Sequence, residues 1–568
     1  MSLHDFVNRL RRRWPTLLAV EQPERMTLQI EAAALVPMAE ALQAQGAWLA
    51  GIVAESLPEG VVLRYPFLMD AAAGDAAAAM EIATSMDAIP AVDVVPAVDA
   101  VPASASASAS ASTLASTSAS PRWLVLQLPP TTGSAPSIVG TCFGADWQER
   151  EIEDLFALHF DGHPQLGDFV LHDEDWPEEI APMRHPSPGI LQPHPPDPAY
   201  RPPQVLRAAG AFTLNVGPIY SDVTESAQFQ LESIGEEVIN TRPRLFYKYR
   251  ALELTAQGLE PWRVLLLAER LNGTAAVAHA LACAQALECL AGLTPSPRAL
   301  RLRVIAAELE RLRSHTATIA AICKSTGLSV PTNEAYSLLE SLLRLSGRFF
   351  GHRYLFGLVV AGGVSLDLPQ RRADALAHEV GTAAAGLMRL GEALSFDNSF
   401  LDRIENVGLI EAEEALHYGL VGPVGRASAR TRVDLRLCVP YADYAAFPPQ
   451  VPMEREGDGY ARLRLFLAEA VESARLLQQA ALALPDGPLQ QDCNPRGPDA
   501  ALGWSEAPAG AAVQWLRLDA QGRVARWRIL PPAFTNWHAF HLAAENFAFQ
   551  DFPITLATMG LSLAEADR

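Results

Sequence analysis

The stretch RLRVIAAELERLRSHTATIAAIC, from Arg301 to Cys323, restricts the fold more than any other part of the chain. Ile305, Leu309, Leu312 and Ile319 recur at helical spacing and fall on one apolar stripe. Glu308–Arg311 and Glu310–Arg313 stand at the i,i+3 spacing that lets side chains on a helix pair. Most of such a helix's stability must come from packing that stripe against neighbours, so other helices are required. One follows Asn333, which suits an N-cap, and another runs through GYARLRLFLAEAVESARLLQQAALAL. Ahead of them, GAFTLNVGPIYSDVTESAQFQLESIGEEVINTRPRLFYKYRALE alternates apolar and polar residues around a Gly-Glu turn, the pattern of antiparallel strands. A late hairpin lies in VQWLRLDAQGRVARWRILPP. The expected fold here is a mainly α domain, a helix bundle trimmed with small antiparallel sheets.

The N-terminal part reads as an α+β domain. It has strand-like GVVLRYPFL and RWLVLQLPP, then a short amphipathic helix in WQEREIEDLF. Ile152, Leu155 and Phe156 take its inner face, and Glu149, Arg150, Glu153 and Asp154 a face expected to be solvated or used for docking. Between the strands, a run of Ala, Ser, Val and Pro ends in ASASASASASTLASTSAS, with too few large apolar groups to offset chain entropy. We expect a disordered insertion at about 71–121. HPSPGILQPHPPDPAYRPP sustains neither helix nor central strand, because proline removes donors and restricts its neighbours. The expected domains are thus 1–185 and 206–568, with a Pro-rich linker at 186–205.

At 568 residues the chain exceeds the roughly 250–300 residues at which single cores stop growing. Its 44 Lys+Arg against 65 Asp+Glu give a net charge of -21, which disfavours nucleic acid as a partner. No apolar run reaches the roughly 18 residues of a membrane span, and MSLHDFVNRLRRRWPTLLAV lacks the features of a secretion signal. A cytosolic chain, or one held peripherally at a membrane, is expected. The six cysteines are scattered without a CxxC, so a thiolate-held zinc, nickel or iron–sulfur site has no support, and buried reduced thiols are the plainer reading. No GxGxxG follows a strand, so NADH would be handled by another subunit.

Two resemblances are carried by particular motifs. ERE (Glu149 to Glu151), DLF (Asp154 to Phe156), GHP (Gly162 to Pro164) and DW (Asp175, Trp176) resemble the signature of the 30 kDa subunit of respiratory complex I. From Ala209 onward, GEEVINTRPRLFYKYRALE, RVIAAELERLRSH, LFGLVVAGGVSLDLP, GLVGPVGRASA, YARLRLFLAEAVESARLL, PPAFTNWHAF and DFPITLAT resemble, in order, the 49 kDa subunit of complex I and the large subunits of group 4 nickel–iron hydrogenases. FGHRYLFGLVVAGGV is nearer to the hydrogenase form. One chain carrying both parts is similar to the large subunits of formate hydrogenlyase and hydrogenase-4.

The resemblance implies where chemistry would sit. Nickel–iron hydrogenases hold their cluster with two CxxC pairs, which it places here at Asn272 and Ala275 and at Ser562 and Glu565. An amide, a methyl, a hydroxyl and a carboxylate cannot replace those thiolates, so neither a metal nor hydrogenase activity is expected of this chain. The complex I family places a histidine and a tyrosine for the quinone headgroup, and Tyr220 and Gly273 stand at those positions. A phenol with a pKa near ~10 is a poor proton donor at neutral pH. Tyr220, Glu225, Glu269, Arg270, His279 and Glu565 are the candidates for cavity lining or proton relay. For Glu269–Arg270 the plainer reading is an ion pair at a helix end, and for His279 and His315 a histidine satisfied by a neighbour.

The implied role is that of a subunit of a membrane-associated respiratory oxidoreductase complex, coupling electron transfer to ion translocation without a nickel–iron site. The alternative is an inactive scaffold that docks an iron–sulfur partner and the membrane arm. No cofactor is expected on this chain itself. Quinone remains a candidate, and iron–sulfur clusters belong to a small partner subunit. The other implied partners are antiporter-like or quinone-module membrane subunits, with the chain peripheral on the cytoplasmic face of the inner membrane. The closing LAEADR resembles the end of the 49 kDa subunit, and no nickel-dependent processing is expected.

Overall fold

The computed structural model describes residues 3–13, 17–69, 122–172, 176, 180–185, 208–220, 225–428, 433–482 and 484–568. The insertion expected at about 71–121, the linker expected at 186–205, and Asp175 of the DW pair lie outside them.

The N-terminal sheet is built from β1 (Leu18–Glu21), β2 (Arg25–Gln29), β3 (Trp48–Leu49), β4 (Val53–Leu57), β5 (Gly60–Leu68) and β6 (Trp123–Gln127). Its order is β1-β2-β6-β5-β3, with β4 also paired to β5. Only β2 and β6 run parallel; the other pairs are antiparallel. Strand β6 begins Trp-Leu-Val-Leu, apolar at every position because both of its faces are covered. Leu124 and Leu126 join a core with Leu35, Met38 and Leu42 of helix α2 (Ala32–Gln43) and with α1 (Leu3–Arg13). Trp123 and Val125 point the other way, into the core of the C-terminal part, where Trp123 meets Trp504 at 5.9 Å.

Helix α3 (Asp146–Phe156) buries Ile152, Leu155 and Phe156 as expected, but its polar face is partly covered, with Glu149 buried and Arg150, Glu153 and Asp154 only partly exposed. Glu149 is fully buried and accepts from Ile138 N at 2.9 Å. Asp154 accepts from Val170 N and Leu171 N, and Arg150 donates to Gly167 O and Asp168 O while lying over Phe169. The chain after β8 (His159–Asp161), which pairs with β7 (Ser134–Pro136), folds back over these side chains. Helical periodicity separates polar from apolar positions but does not reveal what later covers them.

Burial pushes the Glu149 carboxyl up to about 8 from 4.5. Its folded-state pKa therefore lies above the unfolded one. The folded state is favoured while the group is protonated in both states, below 4.5, and loses stability as the pH rises to about 8. Glu149→Gln is expected to remove this loss. Denaturant titrations at pH 4.5 and pH 8 should then differ less for the variant than for the parent; an equal difference in both would contradict the assignment.

In the C-terminal part, β9 (Ala211–Val216), β10 (Gln228–Ile234) and β11 (Glu237–Arg244) form antiparallel neighbours, and the turn at Gly235-Glu236 lies where the sequence places it. Helices α4 (Pro261–Ala268), α5 (Ala276–Ala291), α6 (Pro297–Ser325) and α7 (Ser329–Phe350) follow. The small hairpin β12 (Val359–Val360) and β13 (Gly363–Val364) then precedes α8 (Gln370–Ser395) and α9 (Gly459–Leu482). Helix α6 is the central column, packed between α7 and α9, with Ile305, Leu309, Leu312 and Ile319 fully buried. Ser296 caps it by accepting from Ala299 N, and proline at its first position lacks only a donor that would be free there anyway. Asn333 is not a cap: α7 starts a turn earlier, tolerating Pro331 in its first turn, and the Asn333 side chain donates to Ser329 O.

The late hairpin is part of a three-stranded sheet, β14 (Asp499–Ala507), β15 (Gly510–Leu518) and β16 (Val524–Leu530). Helix α5 lies on β14 so closely that a Cβ at Gly503 would stand 1.9 Å from Ala282 O. Glycine is needed where a helix backbone meets a strand this way. Next come α10 (Pro532–His538), β17 (Phe547–Ala548), which pairs with β11, and α11 (Leu563–Asp567).

The two parts are joined by buried ions. Glu151 of α3 accepts from Arg528 at 2.6 Å and also from Arg568, while Glu253 takes Arg526 at 2.8 Å and Arg528 at 3.3 Å. Arg528 also donates to Gln148 and to Ile52 O, and Arg526 to Ala54 O. Burial alone would raise the Glu253 carboxyl, but Arg528, Arg526 and Arg568 hold it down at about 2.

Candidate functional site

Helix α4 stops at Ala268, and the chain turns through Arg270 to Ala275 before α5 begins. The sequence Leu-Asn-Gly-Thr breaks the helix because the Asn272 side chain satisfies the turn itself: its Oδ1 accepts from Thr274 N at 3.0 Å and from the Thr274 hydroxyl at 2.9 Å. The second loop is set by Ser562, whose Oγ accepts from Glu565 N at 3.2 Å and caps α11. Arg250 staples the two loops together, donating to Leu271 O at 2.9 Å and to Ala564 O at 2.7 Å.

The residues expected at the two thiolate pairs are brought together. Asn272 Nδ2 donates to Glu565 Oε2 at 3.2 Å, and His279 Nε2 lies 2.9 Å from Glu565 Oε1. With the Glu565 oxygen accepting, Nε2 is the donor in this contact. His279 Nδ1 is buried without a hydrogen-bond partner. Ala275 is buried at the start of α5 against Ala278, Ala507 and Ala512, an apolar wall with no donor to offer. Glu225 accepts from the Ser562 hydroxyl, from Ala564 N at 2.9 Å and from Leu563 N. The amide, hydroxyl and carboxylates thus use their donors and acceptors on one another. They do not fit a thiolate-held nickel–iron centre, and among the described residues no group of three or more His, Cys, Asp or Glu could hold a metal ion.

The other candidates sit around this core. Buried Glu269 pairs with half-exposed Arg270 and accepts from Gly357 N at 2.7 Å, an ion pair that fixes the end of α4. Arg270 lies over Phe356. The Tyr220 hydroxyl donates to Ala227 O at 2.9 Å and so closes its own turn, while partial burial raises its phenol pKa. Residues 221–224 of that turn lie outside the described ones. His315 is further along α6, 3.0 Å from Glu469, which also takes Arg426 at 2.6 Å. Gly273 faces Tyr354, whose ring lies 3.6 Å from where a Cβ would stand.

One important residue was legible only as half of a surface-type pair. Both pairs expected on α6 form, Glu308 with Arg311 at 3.5 Å and Glu310 with Arg313 at 3.6 Å, but in the interior. Glu310 accepts from Val277 N at 2.7 Å and from Ala278 N at 2.9 Å, the free donors of the first turn of α5. Burial pushes its carboxyl up to about 7. Arg313 donates to Gly273 O and to Arg353 O. A hydrophobic neighbour for α5 would leave those N–H groups unpaired, which is the signal that could have found Glu310.

Among the described residues no helix is long and apolar enough to cross a membrane. Residues 63–190 match the family of the respiratory-chain NADH dehydrogenase 30 Kd subunit, and residues 325–500 that of its 49 Kd subunit. The chain is 28% identical over 437 residues to hydrogenase-4 component G of Escherichia coli (strain K12), covering 76% of each chain. It is 27% identical over 445 residues to formate hydrogenlyase subunit 5 of the same organism, covering 76% of this chain and 77% of that one. With the fused C/D polypeptide of the NADH-quinone oxidoreductase of Bdellovibrio bacteriovorus it shares 26% identity over 458 residues, 75% of this chain and 81% of the other. The chain therefore fuses a 30 Kd-family domain and a 49 Kd-family domain of the respiratory-chain NADH dehydrogenase, and is similar to subunits of hydrogenase-4, formate hydrogenlyase and NADH-quinone oxidoreductase.

Proposed function

We propose that the chain is a large, nickel-free subunit of a membrane-associated respiratory oxidoreductase complex, in which electron transfer is coupled to ion translocation. The observation that carries this reading is the pairing of two things. The relatives are named as components of multi-subunit oxidoreductases, and the loops where nickel would sit are closed by Asn272, Ser562 and Glu565. Its partners are a small iron–sulfur subunit and membrane subunits of the antiporter-like or quinone-module type, with this chain peripheral on the cytoplasmic face of the inner membrane. Quinone is the acceptor class to test, and Tyr220 would have to release Ala227 O before it could serve a headgroup.

A second reading, a scaffold without chemistry of its own, is favoured by the mutual satisfaction of Glu225, Ser562, Glu565 and Asn272. Solubilising native membranes in mild detergent and isolating the complex through this chain separates the two. Co-purification of an iron–sulfur subunit with reductase activity toward quinone analogues is expected. Co-purification without such activity selects the scaffold, and a chain recovered alone contradicts both.

A further inference from the structure

Two carboxylates and an imidazole line up beneath the closed loops. Glu565, His279 and Glu310 are each at most 1% exposed. Glu565 holds His279 Nε2 at 2.9 Å, and Nδ1, the opposite side of the ring, has no hydrogen-bond partner. Glu310 of α6 accepts from Val277 N and Ala278 N, the two residues that precede His279 on α5. Arg313 is the guanidinium facing Glu310, at 3.6 Å, and its hydrogen bonds go elsewhere, to Gly273 O and Arg353 O. Arg250, over the same loops, is drawn to Asp567 and Glu225 rather than to Glu565.

Among the described residues the other charged groups around α5 are committed elsewhere: Arg311 of α6 donates to Ala507 O and Glu506 O. Glu269, at the end of α4, is turned to Gly357 N and Arg270; from β15, Gln514 donates to His279 O. Glu506 of β14 is turned toward Leu435 N and Arg426. Glu308 is committed to Arg436 and Tyr444 on the other side of α6. Arg313 thus faces Glu310, and among the described residues no guanidinium is paired with Glu565. An uncompensated charge in such a place is expensive, and a proton is the cheapest way to remove it.

We propose that Glu310, His279 and Glu565 form a buried proton relay in the place where the resemblance puts a metal centre. A proton leaves the Glu310 carboxyl and, by way of one water, reaches His279 Nδ1, while the proton on Nε2 passes to Glu565 Oε1. Glu310 ends ionised, Glu565 protonated, and the imidazole neutral in its other tautomer, so no charge is left on the ring. The column resets when Glu565 gives up its proton, the imidazole returns to the Nε2–H tautomer and Glu310 takes up a new proton. The position of Glu310 near neutrality fits this role, since it can both hold and release a proton. The relay is argued from the His279–Glu565 contact, the partnerless Nδ1 and the seat of Glu310 beside His279 on α5; its use for proton-coupled electron transfer rests on the oxidoreductase reading.

Infrared pH titration of the purified full chain tests it. Protonated-carboxyl C=O absorption should fall as the pH is raised through about 7, and Glu310→Gln should remove the component of that fall due to Glu310, leaving those of Asp154 and Glu149, which burial pushes up to about 7 and about 8. Transfer into D2O should exchange the carboxyl proton readily in the parent and at least about a hundredfold more slowly in His279→Gln, which can still donate to Glu565 but cannot relay. A pH-dependent absorption identical in the parent and in Glu310→Gln, or exchange unaltered by His279→Gln, would overturn the relay. Complex formation, followed separately by co-purification, is expected to survive His279→Gln, so failure of the relay and failure of the oxidoreductase reading are told apart.

Discussion

Replacing Arg528 by alanine is expected to destabilise the chain by about 3–5 kcal/mol, the cost of removing one partner from a buried ion cluster. Arg528 is nearly inaccessible and serves Glu151, Glu253, Gln148 and Ile52 O at once. Its removal leaves Glu151 to Arg568 and Glu253 to Arg526, with part of each carboxylate unpaired. The sign of the pH effect follows from Glu253, whose folded pKa of about 2 lies below the ordinary 4.5. Its contribution is present above 4.5 and is lost as the pH falls to about 2. Without Arg528 that pKa moves up, so acid unfolding should begin at higher pH. Denaturant titration followed by tryptophan emission reads both effects, and Trp123 and Trp504 report on the join itself. A loss below about 1 kcal/mol, typical of exposed pairs, would mean that the cluster does not hold the two parts together.

Alanine at Glu565 comes second in expected size. It strands the Nδ2 donor of Asn272 and the Nε2 donor of His279 in a buried site, at about 1–3 kcal/mol for each group left unpaired. Glu565→Gln should cost less, because an amide oxygen still accepts from one of the two donors. Thermal unfolding of the pair, with Glu565→Ala well below Glu565→Gln, is the expected order. Equal melting temperatures for both variants and the parent would show that the loops are not held by this carboxylate.

Much of the frame was legible in the residues. The stripe Ile305–Leu309–Leu312–Ile319 gave α6 because a buried helix needs apolar groups at that period, and Gly235-Glu236 gave the turn between β10 and β11. The site was legible differently. Nothing in local spacing connects Asn272 with Glu565, and only the resemblance placed them at one former cluster; the 3.2 Å contact between them is a property of the fold. Strand β14 was missed because DAALGWSEA is rich in small residues, which is what a strand under helix α5 requires at Gly503. Glu149 was expected on a solvated or docking face, and the burial of Glu310 was not foreseen, for a common reason. A carboxylate on the polar face of a helix reads as solvated until another segment supplies the N–H groups that bury it, as Ile138 does for Glu149 and Val277 and Ala278 do for Glu310.

Whether the loops of Asn272 and Ser562 hold each other or hold a metal is decided by elemental analysis of the intact complex isolated from native membranes through this chain. Nickel well below one atom per chain, with iron accounted for by the iron–sulfur partner, is the expected result. Stoichiometric nickel retained by this chain would contradict the side-chain closure around Glu565 on which the functional reading rests.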